Sequence, residues 1–351
     1  MFSHIAIFLL GLVLLAKGAD FFVEYAGRLA KRFGVSDFLI GLTLTSIGTS
    51  IPEFAASLTA SLNDASGLVI GNVMGSNIAN IGLILGISAM LKSFKTEQKM
   101  YNRDGFFMIA SAALFFAFAL DNEISTGESI FMLVGYLFYV LFLIESDQES
   151  RVYHFQDFMK YVFDFEYISP LKDRLFKIAI RKPQEQRTPA EQKEVRKYRL
   201  GILKDLAIIL VSGAAIMFGA RYLVREAIWL AELLHVPESV IGISLMAIGT
   251  SLPELSVAIS AVRKGKGEMI VGNVVGSNIA NILLIVGSCG LVTEMKIAEI
   301  SVVYTIPIML FFSIGLLYFI KTDWTIKRSQ GIISVIAYVV FMVLAFVMGW
   351  S

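Results

Sequence analysis

The sequence predicts an all-α polytopic membrane protein, with ten transmembrane helices arranged as two inverted-topology repeats of five. Three observations lead there. Hydrophobic residues make up 56% of the 351 positions and the mean hydropathy is +0.71, beyond the apolar share of a soluble domain. Apolar runs of about 20 residues, the length that crosses a bilayer as a helix, recur along the whole chain. The sequence also matches itself when shifted by 201 positions.

Taken in order, the expected spans are 4–27, 37–61, 68–91, 105–120 and 129–144, then 206–234, 238–261, 269–292, 300–320 and 331–349. The first run reads as a span and not as a signal peptide, because no basic residue precedes it and no small-residue cleavage site follows before Lys17 and Asp20. Between the fifth and sixth runs lies a polar segment, Glu145 to Lys204. The expected domains are therefore a first repeat (1–144), a linker (145–204) and a second repeat (205–351). Within the linker, Ser169 to Lys182 places Leu171, Leu175, Ile178 and Ala179 on one helical face, as in a helix lying on an anionic leaflet. A solvated linker is the other reading.

Loop charge orients the chain, since cytoplasmic loops collect Lys and Arg. One side holds Arg28, Lys31, Arg32, Lys92, Lys95, Lys99, Arg103, the basic linker, Arg263, Lys264, Lys266, Lys321, Lys327 and Arg328; the loops on the other side hold Lys296. Both termini are predicted outside and the linker in the cytoplasm.

The 201-residue shift lays Gly48, Thr49, Ser50, Pro52 and Glu53 on Gly249, Thr250, Ser251, Pro253 and Glu254. It also lays GNVMGSNIANI (Gly71 to Ile81) on GNVVGSNIANI (Gly272 to Ile282), which differ only at Met74 and Val275. An odd number of spans per repeat inverts the second copy, and inverted repeats place ion sites near the midplane where the halves meet.

A carboxylate in a membrane is costly unless it faces the protein interior, which makes Glu53 and Glu254 functional candidates. Thr49 and Ser50, four and three residues earlier, share the helical face of Glu53. Pro52 lacks an N–H, freeing the carbonyl of Gly48, and Pro253 does the same for Gly249. Broken membrane helices persist where freed carbonyls line a cavity or bind an ion. Asn72, Ser76 and Asn80 form a polar stripe at four-residue spacing, repeated as Asn273, Ser277 and Asn281. Carboxylate, amide, hydroxyl and carbonyl oxygens suit hard cations such as calcium, while clustered imidazole and thiolate, the ligands of softer metals, are missing. A lone GxxxG, a single serine or a proline kink reads as packing; their joint repetition around a glutamate reads as a site. Asp20 and Glu24, opposite Arg221 and Arg225 in the shifted register, read as structural residues, either ion-pairing or interfacial. The only cysteine, Cys289, leaves no intrachain disulfide.

At these residues the sequence resembles the calcium/cation antiporter superfamily, and within it the prokaryotic-type sodium/calcium exchangers. Both copies of the pattern GTS.PE followed by GN..GSNI.N are complete. The resemblance implies a secondary antiporter, not an enzyme, exchanging Ca2+ for Na+ by alternating access in the lipid bilayer of a prokaryotic plasma (inner) membrane, with no cofactor and no nucleic-acid partner; a monomer is compatible with it, and the sequence itself does not give the oligomeric state. It implies that Glu53 and Glu254 hold calcium with Thr49 and Thr250. Sodium would flank it through Ser50, Ser76, Ser251, Ser277 and backbone oxygens near Ser46 and Ala247, and Asn80 and Asn281 would complete the centre. Potassium-dependent relatives carry Asp where this chain has Asn281, which argues against potassium co-transport. A proton-coupled Ca2+ or Na+ antiporter using the same site, with H+ as the partner ion, is the alternative. An ion channel fits inverted repeats less well than alternation does.

Two carboxylates about 5 Å apart at an effective dielectric of ~20 repel by about 3 kcal/mol. One Ca2+, or sodium ions in its place, neutralises the pair, whereas the bare dianion should cross poorly. That is a physical reason for obligate exchange. The first and sixth spans are expected to slide as a gate over the remaining bundle.

Overall fold

The computed structural model describes residues 2–32, 48–96, 98–146, 189–263 and 265–349. Its helices are α1 (Phe2–Arg32), α2 (Ile51–Ser61), α3 (Ser66–Leu91), α4 (Tyr101–Asp121), α5 (Thr126–Ser146), α6 (Pro189–Leu234), α7 (Glu238–Thr250), α8 (Leu252–Arg263), α9 (Gly267–Val292), α10 (Ser301–Lys321) and α11 (Arg328–Gly349). Among the described residues eight helices are long and apolar enough to cross a membrane, or nine if α7 and α8, bent by 44°, form one span. The expected span 37–61 is represented by its second half, α2; residues 33–47 lie outside the described residues, as does the linker from 147 to 188 with the expected amphipathic stretch Ser169 to Lys182.

Burial sorts the helices into two classes. In α3 and α9, 94% and 83% of the span is buried in protein, against 22% in α1 and 17% in α6. The polar motif helices are therefore the most buried of the eight long spans, and α1 and α6, the least buried, turn most of their surface outward. Exposed Leu9, Leu10 and Val13 on α1 and Leu210, Val211 and Met217 on α6 form that outer face. α1 and α6 pack tightly on one another because their crossing is made of glycine. A Cβ added at Gly219 would lie 2.6 Å from the Leu15 backbone nitrogen and 2.8 Å from the Gly11 carbonyl oxygen.

The central helices repeat each other in detail. Each is α-helical for its first fourteen residues (Ser66–Ala79; Gly267–Ala280), π-helical at Asn80–Leu85 and Asn281–Val286, and α-helical again to Leu91 and Val292. Both π segments begin at an asparagine of the polar stripe, and such wide turns rotate the residues beyond them relative to an unbroken helix.

Two short antiparallel ribbons join the halves. β1 (Phe94–Lys95) pairs with β4 (Thr325–Ile326) in the register Phe94 to Ile326 and Lys95 to Thr325. β2 (Glu123–Ile124) pairs with β3 (Met295–Lys296), Glu123 facing Lys296 and Ile124 facing Met295. The first ribbon lies among Lys92, Lys95, Lys327 and Arg328, whose guanidinium donates to the Leu91 carbonyl at 3.1 Å.

Three boundaries differ from the sequence reading by four residues or more, the first being α1, which runs on to Arg32, five beyond the expected 27. α4 is helical from Tyr101, not 105, and follows without a break on the helical turn Gln98–Met100; within it the Arg103 guanidinium donates twice to its neighbour Asp104, Nε to Oδ1 at 2.8 Å and Nη2 to Oδ2 at 2.9 Å. Pairing lets the buried carboxylate sit inside the helix. α6 begins at Pro189, well before the expected 206, so 189–204 continues the helix in place of a linker. Its AEQKEVRKYRL run consists largely of strong helix formers behind a proline suited to the first turn.

Candidate functional site

The site lies where two helix breaks meet the two polar stripes. Ser50 and Ser251 interrupt their helices with nearly the same backbone angles, φ −86° and ψ 5° against φ −85° and ψ 9°. Each break directly precedes the proline and glutamate of its motif. Glu53 and Glu254 start the helices that follow, and both are buried, with 1% exposure each.

α3 crosses α7 closely enough to bring its stripe onto the opposite break. A Cβ at Gly75 would stand 2.6 Å from the Ile243 carbonyl oxygen, so only glycine permits the crossing. Contacts then run between halves. Thr49 Oγ1 lies 3.3 Å from Asn273 Oδ1, and Thr250 Oγ1 lies 3.3 Å from Asn72 Oδ1. Ser251 donates from Oγ to Glu53 Oε1 at 2.9 Å. Glu254 lies beside the Thr49 hydroxyl and within the field of Glu53. The Ala247 carbonyl accepts the Ser251 N–H at 3.1 Å and the Thr250 hydroxyl at 3.5 Å.

Several buried oxygens have no hydrogen-bond partner among the described residues, and six of them form pairs related by the 201-residue shift. They are Glu53 Oε2 and Glu254 Oε2, Ser76 Oγ and Ser277 Oγ, and Asn80 Oδ1 and Asn281 Oδ1. Native interiors leave few buried polar atoms unpaired. Six such oxygens, two of them on carboxylates, are a donor set for hard cations. Among the described residues no three His, Cys, Asp or Glu side chains cluster, so an ion here would be held by two carboxylates and neutral oxygens.

The structure thus brings together Thr49, Glu53, Thr250, Ser251 and Glu254 with the stripe residues Asn72 and Asn273, and Ser50 stands at the equivalent break; Asn80, Asn281, Ser76 and Ser277 are buried as well, each with a side-chain oxygen that has no partner among the described residues. Ser46 lies outside the described residues. Asp20 and Glu24 pair on the exposed face of α1, Lys17 to Asp20 at 3.2 Å and Arg28 to Glu24 at 2.5 Å, away from the site.

Sequence reasoning missed Asn77 and Asn278. Asn80 Nδ2 donates to Asn278 Oδ1 at 2.9 Å, and Asn281 Nδ2 donates to Asn77 Oδ1 at 2.9 Å. Their signal was present inside both GSNIAN motifs, but at the position next to Ser76 or Ser277 they fall off the four-residue stripe. Also missed was a cluster on α1 and α6. His4 Nδ1 lies 2.6 Å from the buried Glu226, which Arg225 also pairs, and His4 stacks on Trp229 at 3.9 Å.

The sodium/calcium exchanger protein family model matches residues 3–145 and 204–347. The chain is 48% identical to the sodium/calcium exchanger MaX1 of Methanosarcina acetivorans over 97% of both chains. It is 32% identical to the inner membrane protein YrbG of Escherichia coli, over 88% of this chain and 86% of that one. Among solved structures, the sodium-calcium exchanger NCX_Mj soaked with Na+ and Sr2+ superposes with a TM-score of 0.60 at 27% identity, covering 97% of each chain. With both motif copies meeting at one buried oxygen cluster, the chain belongs to the sodium/calcium exchanger protein family.

Proposed function

We propose that this membrane protein is a secondary antiporter that exchanges Ca2+ for Na+ by alternating access. The carrying observation is the set of six unpartnered buried oxygens in three shift-related pairs around two carboxylates. In this reading Glu53 and Glu254 hold Ca2+ with Thr49 and Thr250. Na+ takes flanking positions at Ser50, Ser76, Ser251, Ser277 and the carbonyls near Ser46 and Ala247, and Asn80 and Asn281 complete the centre. The high identity to a protein named a sodium/calcium exchanger favours sodium over protons as the counter-ion.

The architecture we infer is ten spans in two inverted repeats, with both termini outside and 145–204 cytoplasmic in a prokaryotic inner membrane. Four loop contacts support it, each joining loops that this topology puts on the same side. Besides the two ribbons, Gly267 sits against the Lys95 carbonyl, and Gly67 against Glu238 and the Ser239 backbone. α1 and α6 are the gate: Val23 of α1 packs on Gly48 and Leu12 on Gly249, so one apolar helix covers both breaks.

The test is ⁴⁵Ca2+ uptake into proteoliposomes loaded with Na+, with K+ or with a proton gradient only. Uptake that requires internal Na+ and disappears in Glu53→Gln and Glu254→Gln is expected. Uptake driven by protons alone would move the reading to the proton-coupled antiporter, and gradient-independent flux surviving both substitutions would overturn it.

A further inference from the structure

We propose that Asn77 and Asn278 are positioning residues that turn the amide oxygens of Asn80 and Asn281 toward the ion, each acting across the halves on one partner. The inference rests on the exchange reading and concerns residues outside the expected ligand set.

The argument starts from backbone carbonyls, which can only accept. Asn278 Nδ2 donates to the Asn77 carbonyl at 3.2 Å, and Asn77 Nδ2 donates to the Asn278 carbonyl at 3.3 Å. Asn77 Nδ2 also reaches Met309 sulfur, another acceptor, at 3.5 Å. These contacts fix which end of each amide is nitrogen. Asn77 Oδ1 and Asn278 Oδ1 must then point the other way, as acceptors that call for a donor. Asn281 and Asn80 meet them with Nδ2, both at 2.9 Å. Once those nitrogens are engaged, the oxygens of Asn80 and Asn281 face away from the pair, and these are the atoms left without a partner. All four asparagines are buried, at 1% exposure. A reversed Asn281 would set oxygen against oxygen at Asn77, so orientation is imposed before any ion arrives.

The crossing makes the idea testable, because Asn77 should act through Asn281 and not through Asn80. Reconstituted full-length protein is assayed for Na+-dependent ⁴⁵Ca2+ uptake, with KM and kcat determined separately. Asn77→Ala is expected to raise the KM for Ca2+ about tenfold, the worth of one strong buried hydrogen bond, with a smaller change in kcat. In an Asn281→Ala background the same substitution should change KM less than about twofold, while in an Asn80→Ala background it should keep its full effect. Asn278→Ala should show the mirror pattern, losing its effect with Asn80→Ala only. If the alanine variants do not reach the membrane, Asn77→Ser and Asn278→Ser, which keep a polar atom in the interior, carry the same cycles.

Additive effects in both backgrounds, equal coupling to both, or lowered thermal stability with unchanged KM would overturn the proposal. Wild type without Na+-dependent uptake would instead sink the exchange reading, so the two failures are distinguishable.

Discussion

The two halves of the site agree where threonine meets asparagine and differ one layer out. Asn72 and Asn273 occupy equivalent places and their oxygens meet Thr250 and Thr49 at the same 3.3 Å. Behind them the halves part. Asn72 Nδ2 donates to Ser57 Oγ at 2.9 Å, but Ala258 stands at the position equivalent to Ser57, and Asn273 Nδ2 has no partner among the described residues. The oxygens at the two threonines are paired alike in both halves, while the groups behind them are not. The lesson is that a near-symmetric site can hold its two flanking positions with unequal stiffness.

The largest expected effect erases the shared part. Glu53→Gln or Glu254→Gln removes one charge from a buried pair and should cost about 3 kcal/mol or more, roughly a hundredfold in apparent Ca2+ affinity, read from the concentration dependence of uptake. A weak effect from only one of the two would mean that the halves differ at the centre as well. Next in size is acidification. A carboxylate that takes up a proton is lost as a ligand, so Na+-driven uptake should fall as pH drops from 8 to 5.5. A flat profile over that range would contradict the carboxylate-centred site.

Smaller effects address the asymmetry itself. Ser57→Ala should make the first half resemble the second, orphaning Asn72 Nδ2 at a cost of about 1 kcal/mol in thermal unfolding of the purified protein. The reverse change, Ala258→Ser, supplies a hydroxyl where Asn273 lacks a partner and should stabilise by about 0.5 kcal/mol. If both substitutions lowered stability equally, Asn273 would already have a partner that Ala258→Ser displaces.

Much of this was legible in the sequence for one reason: the chain carries its own comparison. The 201-residue match identified Glu53, Glu254 and both stripes, and the breaks at Ser50 and Ser251 followed from proline chemistry. Three things were not legible. The π segments at Asn80–Leu85 and Asn281–Val286 depend on how neighbouring helices pack, which local pattern does not encode. The early starts of α4 and α6 take in an ion pair and a run of strong helix formers, both passed over in a reading that used hydropathy to place spans. Asn77 and Asn278 escaped because a periodicity argument ranks residues by the face they share, whereas these two matter by reaching across to the other half.

The ribbons have a consequence for assembly. Phe94 finds its partner at Ile326, and Ile124 at Met295, so each half carries strand edges that it cannot satisfy alone. A chain made from its N-terminus inserts the first half long before residue 326 is synthesised. Contacts of such separation close late and slowly, and the unpaired edges are exposed meanwhile. Once both ribbons close, the two halves are stitched at β1 with β4 and at β2 with β3, while α1 and α6 contribute no strand to either stitch. The last steps of folding would therefore complete a braced frame that leaves α1 and α6 outside it.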